Sequence, residues 1–162
     1  MFLKILKAYD YAREVLNGHY TPGGEPRICH NLRMAGWLAD NARACDEDMV
    51  VVALVHDLID AVDVRPEAIG NVLGMDILSY VSELANGRSS PSTLSPTAQA
   101  VMAADITDAV GDCLDWDFNY GSDYVTQAEK TLENLCFLDP DLYDACKCRL
   151  FTARQIIDQL NK

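Results

Sequence analysis

The chain has 162 residues, 49% of them apolar, with 25 acidic against 13 basic side chains and a formal net charge of -12. That length suits a single domain, residues 1–162, with a core that needs no staples, and the charge works against duplex nucleic acid, whose capture depends on arrays of Lys and Arg. No run approaches the roughly 18 apolar residues of a membrane span and the first residues are too mixed for a secretory leader, so a cytoplasmic protein with six reduced cysteines is expected.

From the amino end, Ile5, Leu6, Tyr9, Ala12, Val15 and Leu16 recur at helical spacing and predict a helix over 2–17, with Gly18 as its stop. Prolines and glycines make 20–26 a loop, with His19 a loop or cap residue beside it. A second helix over 27–41 carries Ile28, Leu32, Ala35 and Leu38 near one face and His30 in its first turn. Asp46, Glu47 and Asp48 suit the positive end of a third, expected to run unbroken until just before Pro66.

This third helix is the unusual one. After the apolar run Val50 to Val55 it presents His56, Asp57 and then Asp60. Desolvating an imidazole and two carboxylates without partners would cost several kcal/mol, so such groups are normally paired or bound to a metal. A divalent cation would satisfy them together. On a continuous helix His56 and Asp60 share a face, while Asp57 is turned about 100° away.

Shorter helices are predicted over 66–73 and 75–85, divided at Gly74, and 86–93 reads as a loop. Ser95 as N-cap and Pro96 at the first position open a helix reaching about residue 114, with Asp105 set among Val101, Met102, Ala103, Ala104 and Ile106. An acidic loop over 115–123 carries Trp116, Phe118 and Tyr120, which could stack a base but more often seal a helix or a subunit contact. Helices over 123–137 and 140–160 complete the chain. Without strand alternation or repeats, the fold class is all-α, a bundle of about seven helices.

Taken alone, His30 reads as a core histidine and Asp105 as a helix acid that reaches solvent. Asp63 and Asp108 read as solvated surface acids. Cys146 and Cys148 are too close for a zinc knuckle, and no second pair answers them. Taken together, His30, His56-Asp57 and Asp105 occur in the order H, HD, D, and three accidents would have to coincide for that order to mean nothing.

That order resembles the signature of the HD-domain phosphohydrolases. Gly24-Glu25-Pro26-Arg27-Ile28-Cys29-His30 is similar to the GEPYIxH segment of RelA/SpoT-type (p)ppGpp hydrolases and small alarmone hydrolases, and Met102-Ala103-Ala104-Asp105 falls where that family has KLAD. The likeness covers roughly 1–115, the motif-bearing core, and leaves 121–160 as C-terminal helices. It implies a divalent ion held by His30, His56, Asp57 and Asp105, with manganese suiting a mixed N/O shell that leaves positions open. It also implies Asp60 as the group that moves the proton, and removal of a 3'-pyrophosphate from a guanosine nucleotide.

The departures surround the substrate more than the metal. The family's HDxxED reads here His56-Asp57-Leu58-Ile59-Asp60-Ala61, so the Glu is shortened by one methylene and the next acid is lost. The RK pair upstream of GEP is replaced by Thr21-Pro22, and the Asn four residues beyond the KLAD acid by Ala109. Arg27, Arg33 and Arg88 are the remaining candidates for phosphate contact. The expectation is therefore a metal-dependent phosphohydrolase with an altered pocket, acting on a small nucleotide and binding neither nucleic acid nor membrane, with assembly as a homo-oligomer left open. Two alternatives stand beside it: a 5'-nucleotidase of the same superfamily, and a non-catalytic metal-containing domain that binds a nucleotide or a protein.

Overall fold

The computed structural model describes residues 2–113 and 118–160. Among them are nine α-helices: α1 (Phe2–Val15), α2 (Arg27–Asn41), α3 (Glu47–Val55), α4 (Leu58–Val62), α5 (Pro66–Leu73), α6 (Met75–Gly87), α7 (Pro96–Cys113), α8 (Phe118–Glu133) and α9 (Pro140–Leu160). A 3-10 turn at Pro91–Thr93 joins α6 to α7. The described residues form no strand; a lone bridge between Tyr20 and Pro26 closes the turn before α2. No described helix is long and apolar enough to cross a membrane. The all-α expectation holds.

Two helices make the centre. In α3 every residue from Val51 to Val55 is buried, so this stretch has no solvent face, and the helix packs against α1, α2, α6 and α7. In α7 the small residues Ala98, Ala100, Ala103 and Ala104 are buried, which lets α2, α3, α8 and α9 approach its backbone. Polar groups set beside such buried stretches must be satisfied internally, and that is why His56 and Asp57, just past α3, and Asp105, in α7, carry information.

The termini follow local rules. Asp46 caps α3 by accepting the Met49 N–H at 2.8 Å. Ser95 caps α7 through the Ala98 N–H at 3.3 Å, and its own hydroxyl donates to Glu83 at 2.7 Å. Gly74 divides α5 from α6 with φ +101°, a conformation that a side chain would oppose.

Two expectations are corrected. The third helix does not run through to Pro66: it stops at Val55, and α4 begins at Leu58. Asp57 takes φ -106°, ψ 4°, and its side chain is drawn away toward α2, a tertiary pull that local helix propensity does not register. The expected loop over 115–123 is also corrected from residue 118 on, where α8 starts; Trp116 lies outside the described residues.

Candidate metal centre

Three elements deliver the polar groups to one place. α2 contributes His30 from its first turn, the α3–α4 junction contributes His56, and α7 contributes Asp105 from its middle. One donor atom from each of these three lies within 4.8 Å of the other two. His30 Nε2 is 3.3 Å from Asp105 Oδ1 and His56 Nε2 is 3.8 Å from the same oxygen. The two rings meet edge to face with centroids 5.5 Å apart.

The opposite ring nitrogens set the tautomers. His56 Nδ1 lies 3.0 Å from the Ala53 carbonyl, to which it can only donate, so Nε2 is the nitrogen turned toward Asp105. His30 Nδ1 is 2.7 Å from Asp108 Oδ2. Each histidine is therefore anchored on the side away from the cluster.

Asp57 is beside this group but turned to other partners. Its Oδ2 accepts from Arg27 Nε at 2.6 Å and its Oδ1 from Asn31 Nδ2 at 3.0 Å. Of the four expected ligands, the structure gathers His30, His56 and Asp105 and sets Asp57 against α2. Buried Asn31 also donates to the Leu54 carbonyl at 2.9 Å, while its own Oδ1 has no hydrogen-bond partner among the described residues.

The expected phosphate contacts separate into two kinds. Arg27 and Arg33 are already committed to carboxylates, Arg27 to Asp57 and Arg33 to Asp108 and Glu25. Arg88, just beyond α6, spans the candidate chemistry: Nη1 is 3.2 Å from Asp105 Oδ2 and Nε is 3.3 Å from Asp60 Oδ2. Asp60, on α4, is more open than the others, with 38% of its side chain exposed.

Electrostatics reinforce the grouping. Burial alone would lower the His30 pKa, but the hydrogen bonds and charges of Asp105 and Asp108 outweigh it and lift the imidazole to about 9. Burial would likewise raise Asp105, yet His30, His56 and Arg88 hold its carboxyl well below the usual range. Asp57 is lowered against its own burial by His56, Arg27 and Asn31. Carboxylates on both sides of the ring thus favour its protonated form. Two imidazole nitrogens and a carboxylate oxygen, buried and convergent, form a donor set that fits a divalent ion.

Asp108 and Asn31 were not marked by the sequence. Asp108, read as a solvated surface acid, has only 12% of its side chain exposed and is shared by His30 and Arg33. Beside Asp105 opens a cleft of about 170 Å³ lined by Arg88, Met102, Ile106, Tyr124, Gln127, Ala128 and Thr131. Four of these lie on α8, whose sequence carried no signal beyond a helical pattern.

A family model described as an HD domain matches residues 8–110. A GTP pyrophosphokinase from Myxococcus xanthus is 33% identical over 77 residues, which cover 48% of this chain and 10% of that protein. The chain therefore spans about a tenth of the length of this curated relative. The solved structure described as a metazoan ortholog of SpoT that hydrolyzes ppGpp and plays a role in starvation responses matches with a TM-score of 0.83. That match covers 94% of this chain and 96% of the other at 20% identity, a likeness of fold.

Proposed function

The chain belongs to the HD domain family, and from that premise we propose that it is a metal-dependent phosphohydrolase that removes the 3'-pyrophosphate of a (p)ppGpp-like nucleotide through an altered pocket. One observation carries the reading: the donor atoms of His30, His56 and Asp105, from three separate elements, lie within 4.8 Å of one another. The names of the compared proteins support the substrate class, one acting on ppGpp and the other a GTP pyrophosphokinase.

In this reading His30, His56 and Asp105 hold the metal, with Asp57 the fourth ligand by one of its oxygens. When bound, a divalent ion of the manganese type would supply Lewis-acid polarisation of a phosphate oxygen and a lowered pKa for the attacking water. The chain's own residues do the rest. Arg88 exchanges its contact with Asp105 for the phosphate, which neutralises charge at the leaving group. Asp60, within reach of Arg88 and open to solvent, takes the proton from water through a bridging molecule, because its chain is one methylene short.

The altered pocket follows from what is missing and what is present. Thr21 and Pro22 bring no cation to the turn before α2, and Ala109 brings no amide. Gln127 and Thr131 stand instead along the cleft that starts at Arg88 and Asp105, and offer neutral hydrogen bonds to a sugar or base.

Incubation of the Mn2+-loaded protein with a nucleotide panel, read by mass spectrometry, tests the reading. Pyrophosphate from ppGpp is the expected product. Inorganic phosphate from deoxynucleoside monophosphates would move the activity to a 5'-nucleotidase, and nucleotide binding with no product would leave a non-catalytic domain.

A further inference from the structure

We propose that Asp108 is the positioning residue that fixes His30 for the metal centre, and that Arg33 and Glu25 hold Asp108 in place. The inference rests on the metal-centre reading above and names the support on which its affinity depends.

His30 stands between two carboxylates of one helix. Asp105 and Asp108 lie one turn apart on α7, and the imidazole bridges them, Nε2 facing Asp105 at 3.3 Å and Nδ1 facing Asp108 at 2.7 Å. A carboxylate on Nδ1 forces that nitrogen to donate, which leaves the Nε2 lone pair for the cluster and raises its basicity. Without Asp108 the ring is free to change tautomer or turn about its χ2 torsion. The two histidines differ here. The Nδ1 of His56 is held by the Ala53 carbonyl three residues back, whereas that of His30 is held by a side chain from another helix, 78 residues away.

Asp108 is itself fixed on its far side. Arg33 approaches it with two parallel bonds, Nε to Oδ1 at 2.7 Å and Nη2 to Oδ2 at 2.8 Å, the bidentate geometry that specifies orientation as well as strength. The remaining Arg33 nitrogen, Nη1, lies 2.6 Å from both oxygens of Glu25. Glu25 sits in the turn closed by the Thr21 N–H to Glu25 carbonyl bond at 2.8 Å, so the chain of contacts runs from that turn through α2 to α7. Arg33 is thereby consumed as a buttress and leaves phosphate contact to Arg88.

Outer carboxylates of this kind are typically worth roughly 10–100-fold in metal affinity. Titration calorimetry with Mn2+ alone should show Asp108→Ala near the upper end of that range and Asp108→Asn, which keeps an acceptor, near the lower. Arg33→Ala should move affinity in the same direction by less. Asp76→Asn, an exposed carboxylate in the first turn of α6 outside this chain of contacts, should bind as wild type does. A spectroscopic reading accompanies the affinities: in the Zn2+-loaded protein the His30 Nδ1–H should give a slowly exchanging nitrogen-bound proton signal, lost in Asp108→Ala.

Asp108 variants that keep the wild-type circular dichroism and bind Mn2+ as tightly as wild type would overturn the proposal. So would a His30 proton found on Nε2 in the Zn2+-loaded wild type, a reading that needs no variant to fold. If the wild type binds no Mn2+ that His56→Ala loses, the metal-centre reading fails and this one with it. If the wild type binds Mn2+ and the Asp108 variants are indifferent, only this proposal fails.

Discussion

Removing Arg27 tests whether that residue supports the site or contacts substrate. Its Nε is 2.6 Å from Asp57 Oδ2, and the Asp57 side chain is 3% exposed while that of Arg27 is 27% exposed. Arg27→Ala leaves a buried carboxylate whose direct side-chain donor is Asn31 at 3.0 Å. Breaking a fully buried pair costs about 3–5 kcal/mol, and the partial exposure of Arg27 places this one lower, at about 2–3 kcal/mol. For a chain of this size each kcal/mol shifts Tm by about 2–4 °C, so the metal-free protein should melt about 5–10 °C lower. Circular dichroism melts with chelator present provide the measurement. Added Mn2+ should recover part of the loss, because a cation beside Asp57 compensates the charge that Arg27 supplied. A Tm within about 2 °C of wild type, together with a raised KM and unchanged kcat, would show that Arg27 works on the substrate and that the worth assigned to its pairing with Asp57 is wrong.

Other consequences can be measured on the same protein. His30 has a folded pKa of about 9 against about 6.5 unfolded, so its contribution is complete below about pH 6.5 and is lost as pH rises through 9. Asp57, Asp105 and Asp108 are depressed, so theirs is complete above about pH 4 and is lost in acid. Metal-free Tm should therefore be highest between about pH 4 and 6.5 and fall toward 9, a fall that His30→Gln should flatten; a Tm that climbs over that interval would contradict the assignment. A Cβ on Gly121 would lie 2.6 Å from the Cys113 carbonyl oxygen, so Gly121→Ala should cost about 1–3 kcal/mol in chemical denaturation. Gly36, in α2 with nothing within 4 Å, should do the reverse and gain up to about 1 kcal/mol as Ala. Burial lifts the thiols of Cys113 and Cys146 to about 11, whereas Cys136 and Cys148 are exposed. A disulfide reagent at neutral pH should label Cys136 and Cys148 first and reach Cys113 and Cys146 after unfolding.

Much of the site was legible because burial and polarity conflict in the linear pattern. His56 follows six apolar residues and Asp105 is embedded in another apolar run, and each conflict marks a residue that needs a partner. His30, with its weaker local context, was identified by its order relative to the other two. Asp108 gave no such mark: it shares a helix with Asp105, and a half-polar neighbourhood there is equally consistent with a solvent face. The α3–α4 break was illegible for a related reason, since 47–62 has the composition of one good helix and the force that interrupts it comes from Arg27 and Asn31.

The sequence by itself marked the polar residues set in apolar runs, because helical spacing of apolar side chains outlines most buried faces, though Leu6 and Leu32, read on such faces, are 40% and 43% exposed. The tertiary structure decided who answers whom: Asp57 to Arg27 across 30 residues, Asp108 to His30 across 78, and Arg88 to both Asp60 and Asp105. Local periodicity carries no record of those pairings. They exist because α2, the α3–α4 junction, α6 and α7 are packed close enough for charged groups to choose partners by distance, at a point in the interior where a carboxylate without one would be costly.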